Sequence, residues 1–439
     1  MRDDSGLYWI WLADKCGAAS KEFARLIERF EDPFEIYRLE PEEIEAIDFI
    51  GARLKSALSN RSLESAYSII KYCKKHDVDI ITYGDSRYPT RLRTLENPPA
   101  VLYCLGKLPE LEDRICIGVV GTRKISAYGM EESYKLSYEL ASSNVCIVSG
   151  MALGVDAVAS CAALEARGDT IAVLGFGIDV VYPKEHKKLK KCISHGGAVI
   201  TEYPPGEPPY GKNFPQRNRI ISGLCQGVLV IEGDKISGAM ITARCAISQG
   251  RDVFALPGKI NESNSEGTNS LIRDGARLVS SAEDILYHYD FVYGLFINYR
   301  GLKHAKAYSD FSVQAVERYG VSTQIRYVPA HKAYSVGTAE DQNKKSKSTV
   351  VDQIKQPKEA EMPNIEENDA GRDISLLQIL DGLDPITKRV FALLPIDKAV
   401  SPDEFLDSGI SIAEAITALT ILEINGLVTS LPGGAYLRK

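Results

Sequence analysis

The chain has 439 residues, 44% of them apolar and 25% charged, with a formal net charge of −7 and a pI near 5.6. That length has room for roughly two to four domains and at least one large core, and the acidic balance excludes a basic coat over the whole surface, so a nucleic-acid site has to be a local patch. No run of about 18 apolar residues is present, and the start MRDDSGLYWIWLADK is short and acidic where a signal peptide is basic and then apolar, so a cytoplasmic protein with no membrane contact is expected.

Residues 7 to about 72 read as short helices with apolar residues at helical spacing, punctuated by Pro33, Pro41 and Gly51. A small helical domain is expected over residues 1–75, with Trp9 and Trp11 in its core. The step PEEIEAIDFIGARLKSAL is faintly like a helix-hairpin-helix, but its turn lacks the PGxG string, which favours packing over DNA contact. Residues 78–106 hold two strand-like runs separated by a proline-rich turn and lead directly into the next domain.

From Ile115 onward, strand and helix alternate. Apolar β-rich runs occur at ICIGVVG, NVCIVSG, TIAVLG, AVIT, GVLVIEG and DVFALPG, with amphipathic segments between most of them. Nearly continuous apolar strands imply a sheet covered on both faces, hence a doubly wound α/β domain over residues 76–288 whose ligands gather beyond the carboxyl ends of the strands. The nine cysteines lie in or near such apolar stretches and form no CxxC pair, which indicates buried thiols and neither a zinc site nor a disulfide framework.

The loops after these strands are rich in glycines, hydroxyls and cations. They read Gly121-Thr122-Arg123, Ser149-Gly150-Met151-Ala152, Gly175-Phe176-Gly177-Ile178-Asp179 followed by Tyr182-Pro183, and Glu232-Gly233-Asp234-Lys235-Ile236-Ser237. Small residues at a helix N-terminus let backbone amides approach an anion. Neither GxGxxG after the first strand nor GxxxxGK[ST] is present, which disfavours a dinucleotide cofactor and ATP hydrolysis, and no cofactor is expected. The stretch Gly211–Leu224, GKNFPQRNRIISGL, packs Lys212, Phe214, Arg217 and Arg219 into eight residues with no acid among them. A flat ring beside two guanidinium forks and an ammonium suits a base and its flanking phosphates, although a basic run of this length on its own is more often a solvated face.

Residues 289–383 read as a linker, tyrosine-rich at first and then polar, charged and partly disordered. Order returns over 384–439: a helix, a short helix after Ser401, a longer helix after Ser411, and two strands turning at Pro432-Gly433-Gly434 spell a winged helix. Its third helix, SIAEAITALTILEIN, carries Glu414 and Glu423 and no cation, so protein contact or structural docking is favoured over DNA contact.

The loop series VGTR, SGMALGVD, GFGIDVVYP, TEYPPGEPP, FPQRNRIISGL, EGDKISGAMITA, FALPG and GTNSLIRDGA resembles the DNA-processing protein A family, also called Smf, over about residues 80–280. The resemblance implies an extended Rossmann-like domain that binds single-stranded DNA, dimerises, protects incoming strands in natural transformation and assists loading of the recombinase RecA. It implies no catalytic residue and no metal. Transferred onto this chain, the DNA-binding pocket falls on Gly121, Arg123, Ser149, Gly150, Phe214, Arg217, Asn218, Arg219, Lys235 and Ser237. Lys212 lies two residues before Phe214 where many members have their lysine three before, and is included with that departure.

An enzyme of the nucleotide phosphoribohydrolase type is the alternative, with Glu232 as its nearest acid, but the PGGxGT string is missing from that loop. Three further groups have plainer expected roles. Asp156 and Asp179 are expected to hold loop amides, and His186 and His195 to be exposed on the lysine-rich helix KEHKKLKKCISHGG. Leu271, Ile272 and Leu278 fit a dimer surface or buried core equally well.

Overall fold

The structure, a computed structural model, describes residues 6–304, 314–321, 385–395, 400–408, 410–424, 427–431 and 435–438. They fall into two compact units, Met1–Ala339 and Glu340–Lys439.

The first unit opens with six short helices, α1 (Leu7–Cys16), α2 (Lys21–Phe30), α3 (Pro33–Arg38), α4 (Pro41–Glu45), α5 (Ala52–Ser59) and α6 (Glu64–Lys75). Their starts are set locally: the Ser20 hydroxyl accepts the Phe23 amide, the Asp32 carboxylate accepts the Phe34 amide, and Pro33 and Pro41 occupy first helical positions. Trp11, Leu12, Phe23, Leu26 and Ile36 fill a core between them, and Trp9 packs against its edge. The Gly51 amide in the hairpin-like turn donates to Glu22 at 3.0 Å, so this turn is engaged in packing. Leu7, Ile10, Ala66 and Cys73 of the same helices belong instead to the core of the sheet that follows.

That sheet starts with β1 (Val78–Thr82) and, after the short α7 (Thr90–Arg93), β2 (Val101–Gly106), an antiparallel pair. Then come β3 (Cys116–Val120), α8 (Ala127–Ser142), β4 (Cys146–Ser149), α9 (Val155–Glu165), β5 (Thr170–Val173), α10 (Lys187–Gly196) and β6 (Gly197–Thr201). The remainder is α11 (Asn213–Leu224), β7 (Gly227–Val230), α12 (Gly238–Ser248), β8 (Asp252–Ala255), α13 (Ser263–Arg273), β9 (Arg277–Leu278) and α14 (Ala282–Tyr293). The nine strands lie in the order β1-β2-β6-β5-β4-β3-β7-β8-β9, parallel from β6 to β9.

The six apolar runs expected as strands are β3 to β8, and every residue of β3 to β7 is buried. Alternate residues feed two layers, Ile117 and Val119 with α8, α9 and α14 on one face, Cys116 and Val120 with α11 and α12 on the other. This doubly wound α/β sheet reverses its strand order at β3, with β4 on one side and β7 on the other, and a crevice opens at such a reversal.

The tyrosine-rich start of the expected linker is partly packed, with Tyr289 and Ile297 buried. After α14 come the 3-10 turns Gly294–Phe296 and Tyr299–His304, and a helical turn at 314–318 buries Ala315 and Val316, with Arg318 paired to Glu165 at 2.8 Å. Residues 305–313 and 322–384 of that segment lie outside the described residues. None of the described helices is long and apolar enough to cross a membrane.

The second unit holds helix Pro385–Leu393, a 3-10 segment Pro402–Ser408, helix Ile412–Ile424, and the antiparallel pair β10 (Val428–Leu431) and β11 (Ala435–Arg438). Val390, Phe405, Leu419 and Val428 form its core, and Val400 bridges Tyr436. This is the winged-helix order. Glu414 of its third helix accepts the Ser411 amide at 2.9 Å while the Ser411 hydroxyl accepts the Glu414 amide at 3.3 Å, a reciprocal cap. The turn at 432–434 lies outside the described residues.

Candidate nucleic-acid interface

A cleft of about 570 Å³ opens where the strand order reverses, beyond the ends of β3, β4 and β7. Its loops are tied to one another. The Thr122 amide donates to the Glu232 carbonyl at 2.8 Å, and the Glu232 carboxylate accepts both the Ser126 amide, at 2.9 Å, and the Ser126 hydroxyl. The same hydroxyl accepts the Gly129 amide and so starts α8. Burial pushes the Glu232 carboxyl pKa up and the Ser126 bonds oppose this. Glu232, the acid an enzymatic reading would use, is therefore a loop tie between β3 and β7.

The floor is made by α11. Phe214, Arg217, Asn218 and Ile221 all line the cleft, and their i, i+3, i+4, i+7 spacing is one face of a helix. Arg217 is 4% exposed. Its Nη1 donates to the carbonyls of Gly150, at 2.9 Å, and Val173, and its Nε to Asn218 Oδ1 at 3.2 Å; Nη2 makes no hydrogen bond to the described residues. Burial lowers its pKa to about 10, with Asp156 opposing, so the guanidinium is a cation at neutral pH. Gly150 is needed here for space, because a Cβ would stand 2.5 Å from Arg217 Nη2 and 2.7 Å from Asp156 Oδ2.

Asp156 is spent on the loop after β4, where Oδ2 accepts the Gly150 amide at 3.0 Å and the Ala152 amide at 3.4 Å. Asp179 likewise accepts the Gly206 amide at 2.8 Å.

One wall is aromatic. Phe214 lies 5.8 Å from Tyr182 and 6.3 Å from Phe176 between ring centroids, and the Arg123 guanidinium sits 5.6 Å above the Phe214 ring. The exposed side chains of Arg123 and Lys124 form a basic rim. On the far wall α12 begins at Gly238, and the Ser237 hydroxyl is buried without a hydrogen-bond partner among the described residues. The arrangement offers a buried cation, an exposed basic rim, a helix N-terminus and ring faces: the components that hold a phosphate and stack a base. Among the described residues no group of His, Cys, Asp and Glu is placed to hold a metal ion.

Of the residues expected at the site, Gly121, Arg123, Phe214, Arg217, Asn218 and Ser237 line the cleft, and Gly150 lines a narrow annex behind it with Tyr182 and Phe214. Four expected residues do not. Ser149 is buried and its hydroxyl donates to the Val119 carbonyl at 2.7 Å, joining β4 to β3. Lys212 is exposed with its Nζ 5.9 Å over the Tyr210 ring, and Lys235 is exposed and 3.7 Å from Glu266.

Arg219 is the clearest correction. Two residues from Arg217, it points to the opposite side of α11 and pairs with Glu202 in a site where both side chains are at most 6% exposed. Sequence reasoning missed Tyr182 and Lys124 as lining residues, although both sit in strand-end loops.

His186 is a second correction. It is buried, with Nδ1 3.0 Å from the Met151 carbonyl, and burial lowers its pKa. One turn on, the buried Lys190 donates to the carbonyls of Ile178 and Val180, the latter at 2.7 Å. The face of this basic segment that looked solvated pins the loops after β4 and β5; His195 is exposed. Leu271 is buried, whereas Leu278 is 47% exposed on the edge strand β9.

Comparison with known proteins matches residues 79–290 to the family described as DNA recombination-mediator protein A and residues 378–434 to the DprA winged helix domain. The chain is 37% identical to the DNA processing protein DprA of Streptococcus pneumoniae over 286 residues, 65% of this chain and 98% of that one. It is 42% identical to Protein Smf of Escherichia coli over 232 residues, 53% of this chain and 61% of the relative. The X-ray structure of the S. pneumoniae protein superposes with a TM-score of 0.56 at 36% identity, covering 64% of this chain and 96% of that chain.

Proposed function

The chain belongs to the DNA-processing protein A family, also called Smf, and on that premise we propose that its cleft binds single-stranded DNA during DNA processing in natural transformation, as a binding protein without a catalytic step. The observation that carries this reading is the α11 face, on which a buried Arg217 cation with an uncommitted Nη2 lies beside the Phe214 and Tyr182 rings. A single strand presents both ligands at once, a phosphate for the guanidinium and an unstacked base for the rings, whereas a duplex hides its base faces. The groups near the cleft that could move protons, Asp156 and Glu232, are engaged in holding backbone amides.

In this reading the protein works in the cytoplasm as a homodimer, covers incoming strands and assists RecA loading, and the winged helix with its capped Glu414 meets a protein rather than DNA. The DNA-binding set is Gly121, Arg123, Gly150, Phe214, Arg217, Asn218 and Ser237, extended by Lys124 and Tyr182.

The test is a salt titration of binding to single-stranded and duplex DNA by the full chain and by Phe214→Ala and Arg217→Ala. Phe214→Ala is expected to cost about 1–3 kcal/mol of single-strand affinity at any salt. Arg217→Ala is expected to lower the slope of log K against log salt by about 0.7. Parent-like affinity in both variants, or a preference for duplex, overturns the proposal.

A further inference from the structure

We propose that the segment Lys184–Lys191 is a phosphate track that carries a single strand onward after it leaves the cleft past Tyr182. Lys184, Lys187, Lys188 and Lys191 are all exposed, and their i, i+3, i+4, i+7 spacing puts them on one outward stripe. The opposite face is fastened down: His186, Leu189, Lys190 and Ile193 are buried, with His186 and Lys190 bound to loop carbonyls. The stripe therefore has a fixed direction relative to the cleft, and it starts two residues after Tyr182, which is 42% exposed on the cleft wall.

The charge on this stripe is unanswered among the described residues. None of the four ammonium groups makes an ion pair or hydrogen bond with the described residues, and Glu185 is the only acid between Lys184 and Gly196. Lys187 and Lys188 also stand in the first turn of α10, which has no acidic residue, at the helix end where a cation is least favoured. In a chain of net charge −7, four lysines uncompensated among the described residues, on a stripe that begins two residues after the cleft-lining Tyr182, describe a path for a polyanion. From Lys184 to Lys191 the path is about 12 Å long at the rise of its 3-10 and α-helical turns, enough for a few consecutive phosphates.

The inference rests on single-strand binding in the cleft, and the two fail separately. The full chain and the variant Lys184→Gln/Lys187→Gln/Lys188→Gln/Lys191→Gln are titrated by fluorescence anisotropy with oligo-dT probes of about 6 and about 20 nucleotides, within the usual range of site sizes and beyond it. The variant is expected to bind the short probe like the parent, to bind the long probe at least tenfold more weakly, and to lose about 2 to 3 from the salt slope on the long probe. A single charge reversal, Lys188→Glu, is expected to weaken long-probe binding in the same sense. Unchanged long-probe affinity, as an acidic protein partner for the stripe would leave it, overturns the track; so does equal weakening on both probes, which would make the lysines a general field. If Arg217→Ala binds the short probe like the parent, the cleft reading fails instead.

Discussion

Replacing Arg219 by alanine is expected to weaken the fold and leave the DNA interaction per contact unchanged, the opposite of what its place in the basic run suggests. The Arg219 and Glu202 side chains are 6% and 4% exposed, and Glu202 also accepts the Ala19 amide at 3.3 Å from the helical layer. Nε and Nη1 of Arg219 and Oε1 of Glu202 have no partner among the described residues, so the buried pair is held chiefly by the Arg219 Nη2–Glu202 Oε2 contact. Deleting the cation strands a buried carboxylate, at a cost of about 3–5 kcal/mol. Replacing both members at similar volume, as Arg219→Met with Glu202→Leu, is expected to return to within about 1 kcal/mol of the parent or to exceed it, because neither ion then needs desolvating.

Urea unfolding followed by tryptophan fluorescence reads this unit, since the two tryptophans, Trp9 and Trp11, are both in its helical layer. At an m-value of about 3 kcal/mol per molar urea the midpoint of Arg219→Ala falls by more than about 1 M. Under native conditions the variant keeps the parental salt slope for single-stranded DNA. An unchanged midpoint together with a salt slope lowered as in Arg217→Ala would refute the placement of Arg219 away from the cleft.

Gly150→Ala forces a methyl group against Arg217 Nη2 and Asp156 Oδ2. Single-strand affinity is expected to fall at least tenfold, with about 1–3 kcal/mol of stability lost to overpacking, as read by anisotropy and thermal unfolding; parent-like affinity would mean that Arg217 needs no such exact seat. Burial lowers the Lys190 pKa from the ordinary 10.5 to about 8. Between those values the unfolded chain holds a proton that the folded one has released, so the stability of the parent rises with pH relative to Lys190→Met; below about 8 both states are protonated and the group adds no slope. Urea midpoints of the two proteins taken at intervals from pH 7 to pH 10 check the sign, and a difference that stays constant contradicts it.

Much of the fold was open to sequence reading because its signals are local. The six apolar runs became β3 to β8 since a strand buried on both faces has no polar alternation to disguise it. The winged-helix unit was legible from its Ser401 and Ser411 starts. The two-residue edge strand β9 was not, because two residues carry no period, and the packing of 314–321 depends on a distant surface of α8 and α9 that no local pattern announces.

In the site, residue types and loops were legible but directions were not. Counting cations between Lys212 and Arg219 treats the stretch as a patch, whereas a helix of 3.6 residues per turn splits it. Phe214, Arg217 and Asn218 share the cleft face and Arg219 takes the other, a division that helical periodicity applied to FPQRNRII would have suggested. The burial of His186 and Lys190 had no such signal: a histidine and a lysine go inside where loop carbonyls wait for them, and those carbonyls come from the loops after β4 and β5.

Contiguous residues carry the succession of the longer strands and helices, the family and the chemical inventory of the loops, so these can be read before any contact is known. Which cations remain available is settled by long-range contacts. A charge is available to a ligand when no carboxylate or carbonyl has already claimed it. That depends on partners remote in sequence, such as Glu202 for Arg219, Gly150 for Arg217, and no described residue for the four lysines beside Tyr182.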